Sequence, residues 1–187
     1  MKATDVLKEE HRGIERMLTV VEAAARRLEA GEEVPARVFE GAVDFFRGFA
    51  DRCHHAKEEE ELFPALERQG IPRGNGPIGV MLLEHEQGRQ FVRNLAGATE
   101  RYAQGDRAAE PLLVQSALGY VDLLRQHIAK EDGVLFVMAD QVLTPQMQQA
   151  LVAAFDEIEE KRTGKQEHER YHRLIAELEQ VVAGWKG

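Results

Sequence analysis

The sequence predicts an all-α protein, an antiparallel up-down four-helix bundle with an additional C-terminal helical segment. Three observations carry that prediction. Turn-forming residues cluster at Gly31–Pro35, Gly70–Pro77 (GIPRGNGP) and Gln104–Asp106, and they separate long stretches rich in Leu, Ala, Glu and Arg. Within those stretches apolar residues recur at spacings of three, four and seven, the period of one helix face. Strand signals, by contrast, are absent.

The breaks leave four helices near residues 3–30, 36–68, 78–103 and 108–139, long enough to pack as neighbours joined by short turns. In the first, Leu7, Ile14, Leu18, Val21, Ala25 and Leu28 form the buried stripe, and His11 lies on it. Phe39, Val43, Phe46, Ala50 and Cys53 set the face of the second, with His54 near its centre. His55, one residue on, is expected about 100° away from that centre. Ile78, Leu82, Val92 and Ala96 define the third face, which includes His85 and Arg89. The fourth face, Leu113, Ala117, Tyr120, Leu124, Val134 and Met138, includes His127 and Glu131. Each core helix is thus expected to contribute one inward histidine.

A fifth helix is expected from the N-cap Thr144, with Pro145 at the first helical position, to about Lys161. A sixth periodic stretch runs from Glu167 to Val182. The expected division is residues 1–140 for the bundle and 141–187 for a helical extension packed on it. Leu174, Leu178 and Val181 share a stripe that offers a homodimer contact.

Hydrophobic residues make up 43% of the 187 positions and charged residues 30%, which allows a real core in a soluble chain. Thirty-three acidic against 24 basic residues give a net charge of -9, which argues against nucleic acid or an anionic membrane as partner. No apolar run approaches the roughly 20 residues needed to span a bilayer, and the charged start MKATDVLKEEH differs from a signal peptide. The lone cysteine, Cys53, agrees with a reducing compartment and is expected as a small buried residue. A cytoplasmic location is expected.

Compared with itself, the chain shows an imperfect duplication. At an offset of 73, His54, Ala56, Lys57, Glu58, Leu62 and Phe63 match His127, Ala129, Lys130, Glu131, Leu135 and Phe136. At an offset of 74, Glu10-His11 matches Glu84-His85. HxxxE places an imidazole and a carboxylate one turn apart on the same face, which suits a pair of metal ligands. A buried carboxylate without a partner costs several kcal/mol, and two facing four histidines are best explained by bound cations. Imidazole suits iron, zinc and copper, while a carboxylate can bridge two ions and offset their charge. The candidate ligands are therefore His11, His54, Glu58, His85, His127 and Glu131, two histidines to each ion with both glutamates bridging. Glu61, seven residues after His54, is a fallback. Glu59 and Glu60 are expected on a solvated face, and His11-x3-Glu15 and His55-x3-Glu59 fit the spacing by coincidence.

That order of residues, with the LFP box at Leu62–Pro64, resembles the hemerythrin-like HHE cation-binding family over roughly residues 1–140. The resemblance implies an up-down bundle with a non-heme di-iron centre, two Fe ions for which zinc could substitute. Oxygen-carrying hemerythrins have a second histidine on the third helix, where this sequence offers Arg89 or Met81, which argues against oxygen carriage. They also use an aspartate five residues after the fourth-helix histidine, where Asp132 stands, although helical phase favours Glu131. The pattern is also similar to di-iron proteins that repair iron-sulfur centres, without their cysteine-bearing N-terminal domain, and to small stand-alone bacterial hemerythrin-like proteins of oxidative or nitrosative stress.

The resemblance implies reaction with, or sensing of, O2, NO or peroxide, as a di-iron oxidoreductase or a stress sensor with a possible electron-transfer partner. Arg89 is expected to steady a bound anion, and Tyr120 to hydrogen-bond near the metals or pack in the core. Alternatives are a metal-dependent signalling or iron-handling module and a purely structural zinc site. His168, Tyr171 and His172 in the tail, with Glu169-x2-His172, are a weaker ligand signal.

Overall fold

The computed structural model describes residues 1–162 and 164–186, and among these there is helix and turn but no strand. Helix α1 spans Ala3–Glu29. The second stretch opens as α2, Ala36–Phe45, widens into π-helical segments π1, Phe46–His55, and π2, Glu58–Leu62, and closes as α3, Phe63–Arg68. Helix α4 covers Pro77–Ala103. After a 3-10 turn at Arg107–Ala109, α5, Glu110–Lys130, passes through a third π segment, π3, Glu131–Leu135, into α6, Phe136–Val142. The tail folds as α7, Pro145–Arg162, and α8, Lys165–Ala183.

Turns fall where the sequence places them. Gly31, Gly70 and Gly105 adopt φ of 80°, 89° and 87°, a left-handed conformation that glycine enters without a Cβ penalty, and each ends a helix. Pro77 and Pro145 sit at the first positions of their helices, where no amide hydrogen is needed.

Two apolar clusters form the core. One gathers Ile14 to Leu28, Val38 to Ala50, Val92 to Ala98 and Leu113 to Ile128. The other gathers Ala3, Leu7, Leu62 to Met81, and Leu135 to Phe155. In all four long stretches the boundary between the clusters falls at ionisable residues: His11, His54 to Glu58, His85, and Glu131. The candidate ligands therefore form a polar layer between two dry ones.

Helix α8 packs on α1 and α2, and its Tyr171, Ile175, Leu178 and Val182 are buried in the first cluster. Leu174 and Val181 also pack against that cluster, so the stripe expected to bind a second copy lies against the chain itself. Close approach depends on Gly41 and Gly48. A Cβ at Gly48 would stand 1.7 Å from the Tyr171 hydroxyl oxygen, and one at Gly41 about 3 Å from Leu178 and Leu174.

Val134, expected on the buried stripe, is 51% exposed, while Leu135 and Phe136 are fully buried. The π turn explains the change, since a wider turn reduces the angular step per residue and shifts the inward face along the chain. In α4 the buried line runs through Met81, His85, Gly88, Val92 and Leu95, leaving Leu82 and Ala96 half-buried at its edge.

Replacing Gly48 with Ala should lower stability. Ala favours a helix by about 1 kcal/mol, but overpacking against Tyr171 costs about 1–3 kcal/mol. The net expectation is a lower thermal midpoint with faster proteolysis in α8; an unchanged or raised midpoint would contradict this packing.

Candidate metal centre

The six residues singled out by the duplication converge. His11, His54, His85, His127, Glu58 and Glu131 are each at most 1% exposed. Glu131 Oε2 lies 3.2 Å from both His11 Nε2 and His127 Nε2, so one oxygen spans two helices. Glu58 spans two more, with Oε1 3.6 Å from His54 Nε2 and Oε2 3.4 Å from His85 Nε2. The Nε2 atoms of His85 and His127 are 3.2 Å apart.

A seventh residue joins them. His55 is buried, and its ring stacks on His85 at 3.9 Å between centroids. The donor atoms fall into two groups, each within 4.8 Å: His55, Glu58, His85 and His127 in one, and His11, His54, Glu58 and Glu131 in the other. Glu58 belongs to both. The expected two-plus-two division of histidines becomes three plus two, because the second stretch supplies two inward imidazoles. An α-helix would turn His55 away from His54, but in the wider π1 turn adjacent residues both face inward.

The outer nitrogens are held by four acids in two matched pairs. Glu10 accepts from His54 Nδ1 at 2.8 Å and is paired with the buried Lys57. Glu84 accepts from His127 Nδ1 at 3.0 Å and is paired with Lys130. Asp132 takes His11 Nδ1 at 2.7 Å and Arg12, while Glu59 takes His85 Nδ1 at 2.7 Å and Arg89 at 2.7 Å. Such outer carboxylates orient an imidazole with its other nitrogen free for a metal. Phe63 stacks on His85 and Phe136 on His11, at 5.9 and 5.5 Å between centroids. Glu59 therefore differs from the expected solvated residue, and Asp132 supports a histidine from outside the layer.

Arg89 is engaged with Asp51 at 2.8 Å as well as Glu59, so its guanidinium is tied to acids rather than aimed at the layer. Tyr120 packs on Phe46 at 4.5 Å, and burial pushes its phenol pKa up. Tyr120 and Arg89 line a cavity of about 150 Å³ with His55, Asp51 and Gly88. Tail residues stop short of the layer. His168 Nδ1 lies 3.0 Å from Glu159 Oε1, and Glu159 Oε2 is 3.0 Å from Lys57, which pairs with Glu10. Glu169 is largely exposed. Cys53 is buried beside Glu10 and Glu159.

Electrostatics favours a cation here. Burial, together with neighbouring Glu131, raises the Glu58 pKa well above the usual carboxylate range. Burial would also raise Glu131, but His127 and His11 overcome it and hold that carboxyl low. Burial brings His54 and His55 down to about 4 and His85 to about 3. For His127 the same burial is outweighed by Glu131 and Glu84, which raise it to about 9. Both oxygens of Glu58 and of Glu131, with Nε2 of His11 and of His54, are buried without a hydrogen-bond partner. A polar layer so short of hydrogen bonds, with a donor set of imidazole and carboxylate, fits metal ions.

In metal-free protein Glu58→Gln should therefore cost less than Glu131→Gln, since burial and Glu131 already favour the neutral form of Glu58. Glu131→Gln should cost about 3–5 kcal/mol, because it removes the carboxylate from a buried ion pair with His11 and His127. Denaturant unfolding in chelator tests this, and equal losses would remove the assigned charge states.

The chain resembles known proteins at two levels. It is 26% identical over 180 residues to an uncharacterized protein of Mycobacterium bovis, and equally to one of Mycobacterium tuberculosis, covering 96% of this chain and 70% of each relative. It is 33% identical over 89 residues to the iron-sulfur cluster repair protein YtfE of Salmonella schwarzengrund, covering 46% of this chain and 40% of that one. No solved structure is matched. The family model for the hemerythrin HHE cation binding domain matches residues 2–139, which include every residue of the buried layer, and the chain belongs to that family.

Proposed function

We propose that the chain is a non-heme di-iron protein that reacts with or senses O2, NO or peroxide. The observation that supports this most strongly is the buried layer of five imidazoles and two carboxylates whose oxygens lack any other partner. On this reading His55, His85 and His127 would hold one ion and His11 and His54 the other, with Glu58 within reach of both and Glu131 beside His11 and His127. Bound iron would supply one-electron chemistry and a coordination position open to a small ligand.

The chain's own residues do the rest. Glu10, Glu59, Glu84 and Asp132 fix the histidine tautomers, and Lys57, Lys130, Arg89 and Arg12 fix those acids. Phe63 and Phe136 exclude water from the imidazole faces. The cavity lined by His55, Tyr120 and Arg89 is the approach for a small ligand. Its size admits a diatomic or peroxide and excludes a large substrate. Likeness to an iron-sulfur cluster repair protein supports a role in protecting iron centres under oxidative or nitrosative stress.

The same reading takes residues 1–140 as an antiparallel up-down four-helix bundle and the remainder as an extension packed on it. Alternation supports it: the second apolar cluster takes the start of α1 and α4 but the end of the stretches closed by α3 and α6.

Anaerobically prepared protein from iron-supplemented cells should contain two irons per chain, and Glu58→Gln with Glu131→Gln together should abolish loading. Substituting Glu84 with Gln, which removes a support and no ligand, should weaken iron binding roughly 10–100-fold. Adding peroxide or NO to the reduced, loaded protein should change its visible spectrum. Absence of iron, or no spectral change at any stoichiometry, refutes the proposal.

A further inference from the structure

Outside the buried layer, one cluster of ligand-type side chains is unused by the proposed function. His168 and His172 stand one turn apart on α8, and their Nε2 atoms are 2.9 Å apart. Metal–imidazole bonds are about 2.0–2.1 Å, so two nitrogens on one ion at a right angle are separated by about 3 Å. The pair already has that separation.

Three further features organise it. Phe49 packs edge-on against both rings, at 5.3 Å for His168 and 6.1 Å for His172, restricting their rotation. Glu159 Oε1 sits 3.0 Å from His168 Nδ1 as a close charge contact, and that nitrogen is buried without a hydrogen-bond partner, so the carboxylate favours a cation on this ring. Charge around His172 comes from Glu9 and Glu159, which favour a cation, and from Arg16, which is taken up by Glu179 at 2.8 and 2.6 Å. His172 is exposed, so an ion can reach the pair from solvent.

We propose that His168 and His172 form a second metal site, at the protein surface, which takes one divalent transition-metal ion such as nickel, copper or zinc, with Glu159 supplying negative charge beside His168. Water completes the coordination, and no redox step is involved. The site shares no ligand with the buried layer, though Glu159 touches Lys57, the partner of Glu10.

Nickel tests it. Titrated calorimetrically into the iron-loaded full chain, nickel should bind with one more equivalent than His172→Ala takes up, while metal analysis shows the iron retained. His168→Ala should lose the same equivalent, and Glu159→Gln should weaken it roughly tenfold. In the chain carrying Glu58→Gln and Glu131→Gln the equivalent should persist, which separates this site from the buried one. His172 is exposed, so its replacement leaves the fold intact, as circular dichroism checks. No nickel binding beyond the core, or the same uptake in His172→Ala and His168→Ala as in the parent, overturns the assignment.

Discussion

Everything in this protein is arranged around two carboxylates that share one dry layer. Glu58 and Glu131 are fully buried between two apolar clusters, and without positive charge nearby they cannot both be ionised. The chain meets that constraint in part by itself: Glu131 is neutralised by His11 and His127, and Glu58 is held neutral. Protons thus occupy the electrostatic role that cations would take over. A cation entering the layer would displace those protons.

The internal duplication reads as a building plan once the contacts are known. A glutamate one residue before a histidine, Glu10 or Glu84, supports the histidine of the next HxxxE helix and pairs with that helix's lysine. The acid after each HxxxE, Glu59 or Asp132, supports the histidine on the other kind of helix. The phenylalanine at the end of each unit covers that same histidine. What repeats in the sequence is therefore a complete ligand-support unit. Matching positions such as Lys57 with Lys130 and Phe63 with Phe136 recur because each has a contact to make.

Much of this was legible before any coordinates. Helix limits follow from glycine and proline, and the stripes place His11, His85 and His127 inward because α-helical periodicity holds at those points, while His54 is inward although it lies in π1. Inference failed at the π segments. No residue pattern announces an i to i+5 turn, so α-helical phase puts His55 on the wrong face and Val134 on the buried one. Glu59 was misread for another reason: a charged residue in an acidic run is usually solvated, and its contacts to His85 and Arg89 come from α4, distant in sequence. Arg89 likewise stands within the expected face, but the positions of Asp51 and Glu59 decide where its guanidinium points.

The two halves of the layer also differ in one respect that matters. His55 has Ile128 at the corresponding place in the second repeat, and both side chains are buried. One donor group therefore has three imidazoles and the other two, although Glu58 belongs to both. The same asymmetry extends outward. Asp51, which contacts His55 at 3.4 Å and holds Arg89, corresponds to Leu124 at the same offset, and the cavity reaching His55 is lined by Asp51 and Arg89. A duplicated scaffold gives two equivalent places for cations, and replacing one apolar pair by His55 and Asp51 makes them unequal. The extra imidazole, the acid beside it and the cavity coincide on one side. The cavity and the richer donor set thus depend on the same few differences between the repeats.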